Sequence, residues 1–242
     1  MTTPTRAGAA GSNGRDPTRD APRRHALEAN SLYRFFRAGE EETLALQGVS
    51  LHVAAGEMVA VVGPSGSGKS TLLSVLAGLD EPDGGTVHVH EHRLSHQGEA
   101  FRARLRARMI GVLFQSGNLL PHLTVTGNIE LAQRLAHHGG RPQIPDLLGA
   151  LGLSARAAAY PGELSGGELA RAGLAVALAN NPPVLLADEP TGELDAHTET
   201  QVLDLLRARL EHGVAVLVAS HSAAVAAAAD RVITLTEGRV TQ

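Results

Sequence analysis

"MVAVVGPSGSGKSTLLSVLAG", residues 58–78, decides the fold. "MVAVV" is apolar without polar alternation, the habit of a strand buried on both faces of a parallel sheet. "STLLSVLAG" continues as a helix, and between the two Gly63–Ser70 reads G-x-x-x-x-G-K-S. Strand, loop and helix in that order are the context the motif requires, which disfavours a chance Gly/Ser turn. Gly63, Gly66 and Gly68 let the backbone bend so that its N–H groups converge on phosphate oxygens. The helix start adds its dipole, Lys69 reaches the β/γ-phosphates, and the Ser70 hydroxyl is placed to ligate Mg2+. Pro64, Ser65, Ser67 and Thr71 complete the same nucleotide-binding stretch.

Three other apolar runs end directly on polar chemistry. "MIGVLF" (109–114) precedes Gln115, "VLLA" (184–187) precedes Asp188-Glu189, and "VAVLVAS" (214–220) precedes His221. In open α/β sheets ligands sit outside the carboxyl ends of the strands, so all four polar sets are expected on one edge. Asp188 is placed to hold Mg2+ through its water shell, and Glu189 to polarise an attacking water. The alternative for Glu189 is an ordinary acid at a helix start.

The flanks carry a different pattern. "TLALQGVSLHV" (43–53) and "GGTVHVHEH" (84–92) alternate in period 2, which predicts an antiparallel sheet beside the parallel core. From Gln115 to Ser165 the pattern turns helical, an inserted lobe. The fold class is therefore α/β: a P-loop NTPase with a parallel core sheet, an antiparallel β-subdomain and an inserted helical subdomain at roughly 116–175.

At 242 residues the chain is long enough for one sizeable core. A net charge of −4 and 2% aromatics leave neither a basic footprint nor a stacking platform for nucleic acid. No Cys is present, which excludes disulfides, a thiol nucleophile and thiolate zinc. No apolar stretch reaches the roughly 18 residues of a membrane span. Residues 1–30 read as a disordered, mildly basic tail ahead of a domain at 31–242. The expectation is a soluble cytoplasmic protein.

A second glycine element follows. Ser165-Gly166-Gly167-Glu168 has the S-x-x-E form of a capping box ahead of the helical "ELARAGLAVALAN" (168–180). Ser165 is the expected N-cap, with Glu168 folding back on its N–H. Such a helix start presents free amides to an anion. The residues alone leave two readings level, a capped helix or an anion site.

"LSGGE" (164–168) resembles the signature of ATP-binding-cassette (ABC) ATPases in its Glu-ended variant. The other stations follow in that family's order: the phosphate loop at 63–71, Gln115, the signature, Asp188-Glu189, "GELD" (192–195) and His221. The resemblance covers residues 31–240. Within the family, "NLLPHLTVTGNI" (118–129), "LADEPTGELD" (186–195) and the lead-in "RAGEEETLALQGVSL" (37–51) are most similar to the ATPases of lipoprotein release, macrolide export and cell division.

The resemblance implies that Ser165, Gly166, Gly167 and Glu168 cap the γ-phosphate bound by a second copy, in a head-to-tail homodimer that sandwiches two ATP molecules. It assigns Gln115 to Mg2+, to the attacking water and to sensing a membrane partner, Asp195 to the crossover between sites, and His221 to the γ-phosphate. It places an adenine-stacking aromatic ahead of the first strand, at Phe36, with Tyr33 and Phe35 as rivals. It further implies a separate integral-membrane permease that chooses the cargo, a place on the inner face of the cell membrane, and export or extraction from the membrane. Two alternatives are a regulatory ATPase of a cell-envelope complex and a non-transport ABC ATPase of translation or DNA repair.

Two positions depart from the family pattern. Val176 stands where many relatives have Arg, and Ser222 follows His221 in place of the usual Asp. Outside the motifs, His88, His90 and His92 alternate as if along one strand face, read as a wet face ahead of a metal site. Arg102, Arg104, Arg106 and Arg108 read as a solvated helix face, with a membrane-facing or partner contact as the alternative.

Overall fold

The computed structural model describes residues 25–38, 41–136, 142–192 and 194–241. Two sheets form the framework. The smaller is antiparallel, ordered β2-β1-β4-β5, from β1 (His25–Ala38), β2 (Glu41–Ala54), β4 (Gly84–Val89) and β5 (His92–Arg93). The larger has the order β10-β9-β3-β8-β7-β6, from β3 (Met58–Val62), β6 (Ile110–Leu113), β7 (Val184–Asp188), β8 (Ala215–Ala219), β9 (Arg231–Thr236) and β10 (Arg239–Val240). Only β10 runs antiparallel to its neighbour in this sheet.

Every residue of β8, and all but the last of β3 and β7, is buried, as continuous aliphatic runs require. Each fully buried Val or Leu contributes about 1.5–3 kcal/mol, so these strands anchor the fold. One core joins the antiparallel sheet to one face of the parallel sheet through Leu27, Val53, Leu76 and Leu217. A second joins the other face to helices α3 (Val125–Ala136), α4 (Ile144–Ala150), α5 (Gly166–Leu178) and α6 (Ala196–Leu210). The helical insertion thus shares its apolar residues with the sheet.

Register sets the chemistry. Asp188 pairs with Ala219, Val61 also pairs with Ala219, and Leu113 pairs with Ala187. Gly63, Gln115, Glu189 and His221 each follow one or two residues later, so they emerge along one edge of the sheet.

Several expectations need correction. The first strand begins at His25, so the tail boundary at residue 30 moves back, and residues 1–24 lie outside the described residues. Phe36 belongs inside β1, opposite Thr43, and does not precede the first strand. Strand β4 stops at Val89, and His90, with φ of 50°, starts the turn into β5. His88, His90 and His92 therefore share no single strand face, and the described residues hold no cluster of three or more His, Asp or Glu able to bind a metal. In α2 (Glu99–Met109), Arg102 pairs with Glu81 and Glu99 with its side chain only 14% exposed. Arg106 donates to the Gly78 carbonyl at 2.8 Å. These two arginines brace α2 and are not a solvated face.

Candidate functional site

The phosphate loop bends where it does because side chains would not fit. A Cβ on Gly63 would lie 2.1 Å from the Leu235 carbonyl oxygen, and one on Gly68 would lie 2.5 Å from that of Ala45. Gly68 also has φ of 103°, a left-handed conformation that glycine adopts without penalty. It N-caps α1 (Lys69–Leu76) with no side chain covering the first-turn amides, which leaves them available to an anion. Lys69 Nζ donates to the carbonyls of Gly63 at 2.8 Å and Pro64 at 3.1 Å, holding the ammonium over the loop. Ser67 is buried beneath it, and its carbonyl accepts the Gly238 N–H at 3.0 Å.

A cleft of about 910 Å3 opens over this loop. It is lined by Gly63, Pro64, Ser65, Gly66, Gly68, Lys69, Ser70 and Thr71, and also by Phe36, Gln115, Asp188, Glu189 and His221. Asp188 is half-buried; desolvation raises its pKa from the ordinary value, opposed by a hydrogen bond from Ser70. The Glu189 charge raises it further and Lys69 lowers it. Glu189 sits at φ of 45°, a left-handed backbone that costs a non-glycine residue on the order of 1 kcal/mol or more. Its N–H donates to the Ala219 carbonyl at 2.8 Å, and its Oε2 accepts the Ser220 hydroxyl at 2.9 Å. His221 Nδ1 lies 2.9 Å from Glu189 Oε1. The strained residue is thus held from the end of β8.

Phe36 presents a ring 42% exposed to the cleft, and the Arg34 guanidinium sits 4.8 Å from its centroid. Arg34 is itself fixed by both Asp80 and Asp83. Tyr33 and Phe35 do not line the cleft; Tyr33 packs against Gly48 and Gly84.

The second glycine element forms its capping box. Ser165 Oγ accepts the Glu168 N–H at 3.3 Å, and Glu168 Oε2 accepts the Ser165 N–H at 2.9 Å. Arg156 Nε reaches Glu168 Oε1 at 2.7 Å; with the Ser165 N–H it holds the Glu168 carboxyl down to about 2. Ser165, Gly166 and Gly167 line a polar cavity of about 560 Å3 together with Asp195, Thr198 and Gln201. Asp195 caps α6, accepting the Thr198 N–H at 3.1 Å and its hydroxyl at 2.8 Å, and these bonds lower its pKa. Gly166 also reaches a narrower cleft of about 270 Å3, shared with Gln115 and Glu189. No phosphate-loop residue lines either of these two cavities. In these cavities the two glycine elements share no wall, while Gln115 and Glu189 line both the nucleotide cleft and the narrower cleft that Gly166 reaches.

Some site residues escape a reading of the sequence. Glu237 and Gly238 line the nucleotide cleft from the turn between β9 and β10, and Gln47 joins them, donating to the Glu237 carbonyl at 2.8 Å. Only the Glu-Gly turn between two alternating runs hinted at them. Ser220 and Arg156 carried no motif at all. Val176 is half-buried beside Leu79, Phe114 and Leu135 in an apolar groove of about 520 Å3. Ser222 caps α7 (Ala223–Ala228), accepting the Ala224 N–H at 3.1 Å.

The geometry agrees with what the chain resembles. Residues 46–192 match the family described as ABC transporter. The lipoprotein-releasing system ATP-binding protein LolD of Paramagnetospirillum magneticum is 43% identical over 218 residues, covering 88% of this chain and 96% of that one. The macrolide export ATP-binding/permease protein MacB of Shigella flexneri is 41% identical over 88% of this chain, which spans only 34% of that longer protein. Among solved structures, the dimeric ABC transporter cassette MJ0796 superposes with a TM-score of 0.84 at 35% identity, covering 89% of this chain and 97% of that one. The same cassette in a post-hydrolysis state, bound to ADP and Pi, gives 0.83 at 35% identity, with the same coverage of both chains. The phosphate loop, the acidic pair after β7, the signature element and this likeness along most of the chain have one source: the protein belongs to the ABC transporter family, as a nucleotide-binding, ATP-hydrolysing cassette.

Proposed function

We propose that the chain is the ATPase subunit of an exporter or membrane-extraction system, working as a head-to-tail homodimer that drives a separate integral-membrane permease. The observation that carries this reading is the separation of the two glycine elements. The phosphate loop and Ser165–Gly167 line different cavities, which suits an ATP molecule held by the loop of one copy and capped by the signature of a second. The solved relatives that superpose on the chain include dimeric cassettes. Lipoprotein release and macrolide export, the tasks named for the relatives, favour outward movement or extraction.

In this reading the Phe36 ring stacks on adenine, and the amides of residues 63–71 and Lys69 hold the phosphates. The donors at the base of the cleft suit Mg2+: the Ser70 hydroxyl hydrogen-bonds the single carboxylate of Asp188, and Gln115 adds an amide. Such a hard, all-oxygen set leaves coordination positions for water and phosphate oxygens, and the ion would supply charge neutralisation for phosphoryl transfer. Glu189 accepts a proton from the attacking water. The water oxygen bonds to the γ-phosphorus, the bond to the ADP oxygen breaks, and ADP and phosphate leave. His221 holds the carboxylate and reaches the γ-phosphate; Asp195 lies at the crossover.

Among the described residues no helix is long and apolar enough to cross a membrane. The permease then tethers the subunit to the inner face of the cell membrane. The groove formed by Leu79, Phe114, Leu135 and Val176 is the docking place that suits this role. Phe114 is 41% exposed in the groove and precedes Gln115 of the nucleotide cleft, so an occupant of the groove would lie one residue from the site. Co-purification from membranes tests the reading. A multi-span protein is the expected partner; a wall-hydrolase regulator or a ribosome in its place would support the regulatory or the non-transport alternative.

A further inference from the structure

Two loops meet at the Glu189 carboxylate, one following β7 and one following β8, and both are tied to α6. Glu199 lies in the first turn of that helix, its N–H donating to the Asp195 carbonyl at 2.9 Å. Its Oε1 accepts two hydroxyls, from Thr191 at 2.9 Å and from Ser222 at 2.7 Å. Thr191 is buried two residues beyond Glu189, and Ser222 directly follows His221. The Ser222 N–H donates to Ser220 Oγ at 3.1 Å, and the Ser220 hydroxyl donates to Glu189 Oε2 at 2.9 Å. The chain from Glu189 to Thr191 closes the bonds among Glu189, Ser220, Ser222, Glu199 and Thr191 into a ring.

The directions of these bonds are settled by their partners. The oxygens of Ser220 and Ser222 already accept backbone N–H groups, so each hydroxyl proton points at a carboxylate. Glu199 does not line the nucleotide cleft, and its side-chain hydrogen bonds go to Thr191 and Ser222 rather than to Glu189 or His221. The two hydroxyls are its side-chain link to the loops that hold Glu189 and His221. A carboxylate at position 222 would stand against Glu199 at hydrogen-bond distance, and a hydroxyl is the group that Glu199 accommodates there.

We propose that Glu199 is a positioning residue for hydrolysis. Its carboxylate fixes Thr191 and Ser222, and through them the placement of Glu189 relative to His221. Because Asp195 caps the same helix, the ring also ties the β7 and β8 loops to the crossover position. The proposal rests on the reading of Glu189 as the proton acceptor.

The test is a set of variants of the full chain, followed by steady-state ATPase kinetics, binding of a fluorescent ATP analogue and thermal melting. Glu199→Ala should lower kcat by on the order of tenfold to a hundredfold, the scale of a small misplacement of reacting groups. Nucleotide affinity should change less than about twofold, since the cleft walls are untouched. Glu199→Gln keeps an acceptor oxygen and should retain most of kcat. Ser222→Ala should lower kcat, and combining it with Glu199→Ala should cost no more than the worse single change. Ser222→Asp should be harmful alone yet partly restore turnover to Glu199→Ala, because it returns one carboxylate to the ring. The proposal is overturned by wild-type kcat in Glu199→Ala, by losses that simply multiply in the double variant, or by matched losses of kcat, affinity and melting temperature. If Glu199→Ala does not fold, the combination of Glu199→Gln with Ser222→Asp decides. Ser222→Asp that harms the wild type but is harmless beside Glu199→Gln supports the ring, and equal effects in both backgrounds overturn it. Normal turnover in Glu189→Gln would remove the base assignment separately, leaving the coupling between Glu199 and Ser222 to be read from the same cycle.

Discussion

His221 Nδ1 and Glu189 Oε1 lie 2.9 Å apart, although 32 positions separate them in the chain. With the Ser220 hydroxyl on Oε2, both oxygens of Glu189 are engaged by the loop after β8. The residue has a strained backbone and a side chain only 12% exposed, while His221 is 71% exposed toward the cleft. That asymmetry fits a fixed base and a histidine free to meet a phosphate.

Glu189→Gln should therefore bind ATP normally and lose turnover by about 10²–10⁴-fold, the usual worth of general-base catalysis. The amide fits the same place but cannot take the proton. Single-turnover hydrolysis gives the rate, and light scattering should detect an ATP-trapped dimer. Near-normal turnover would move the base elsewhere.

For the proposed adenine site, Phe36→Ala should cost about 1–3 kcal/mol of nucleotide binding, the scale of base–aromatic stacking. Phe36→Tyr should be tolerated. Tyr33→Ala should leave nucleotide affinity intact and lower thermal stability, because Tyr33 packs on Gly48 and Gly84 outside the cleft. Titration with a fluorescent ATP analogue separates the two aromatics.

Glu168 should still be ionised at about pH 3.5, between its folded and ordinary pKa values. Its carboxyl is held down to about 2 from an ordinary 4.5, first by Arg156 and then by the Ser165 amide. The sign follows: the stabilisation is complete above about 4.5 and is lost as pH falls through about 2. Arg156→Gln should raise the midpoint toward the ordinary value. A carboxyl-carbon NMR titration reads this directly, and an unchanged midpoint would show that the amide alone sets the shift.

The trans assignment of the signature can be tested by complementation. Lys69→Ala breaks a phosphate loop, and Gly166→Asp places a carboxylate among the capping amides without a clash, since no atom lies within 4 Å of a Cβ there. Each homodimer should be nearly inactive. Mixed dimers gather both lesions at one composite site and leave the other intact. Random mixing then gives about a quarter of wild-type activity under head-to-tail symmetry, if the sites are independent. A verified heterodimer that binds ATP but turns over no faster than either parent would favour action in cis, provided a wild-type/mutant dimer stays active.

Local chemistry was legible in the amino-acid sequence wherever a few consecutive residues dictate a backbone. G-x-x-x-x-G-K-S between a strand and a helix, the S-x-x-E box at Ser165–Glu168, and the aliphatic runs ahead of Gln115, Asp188 and His221 each act within a dozen residues. Their steric and capping requirements need no distant partner. What only the tertiary structure decided depends on register and on side chains far apart in the chain. Strand β1 lacks clean alternation and acquires its place by pairing with β2 and β4. The β4 histidines parted because a turn intervenes at His90, and Arg102 turned inward because Glu81 waits there. The pairing of Asp188 with Ala219 brought Ser220 and His221 to Glu189, and the approach of α6 placed Glu199 between Thr191 and Ser222. Hydrogen bonds between residues 8 to 32 positions apart leave no period in a sequence, because their geometry exists only once the sheet has closed.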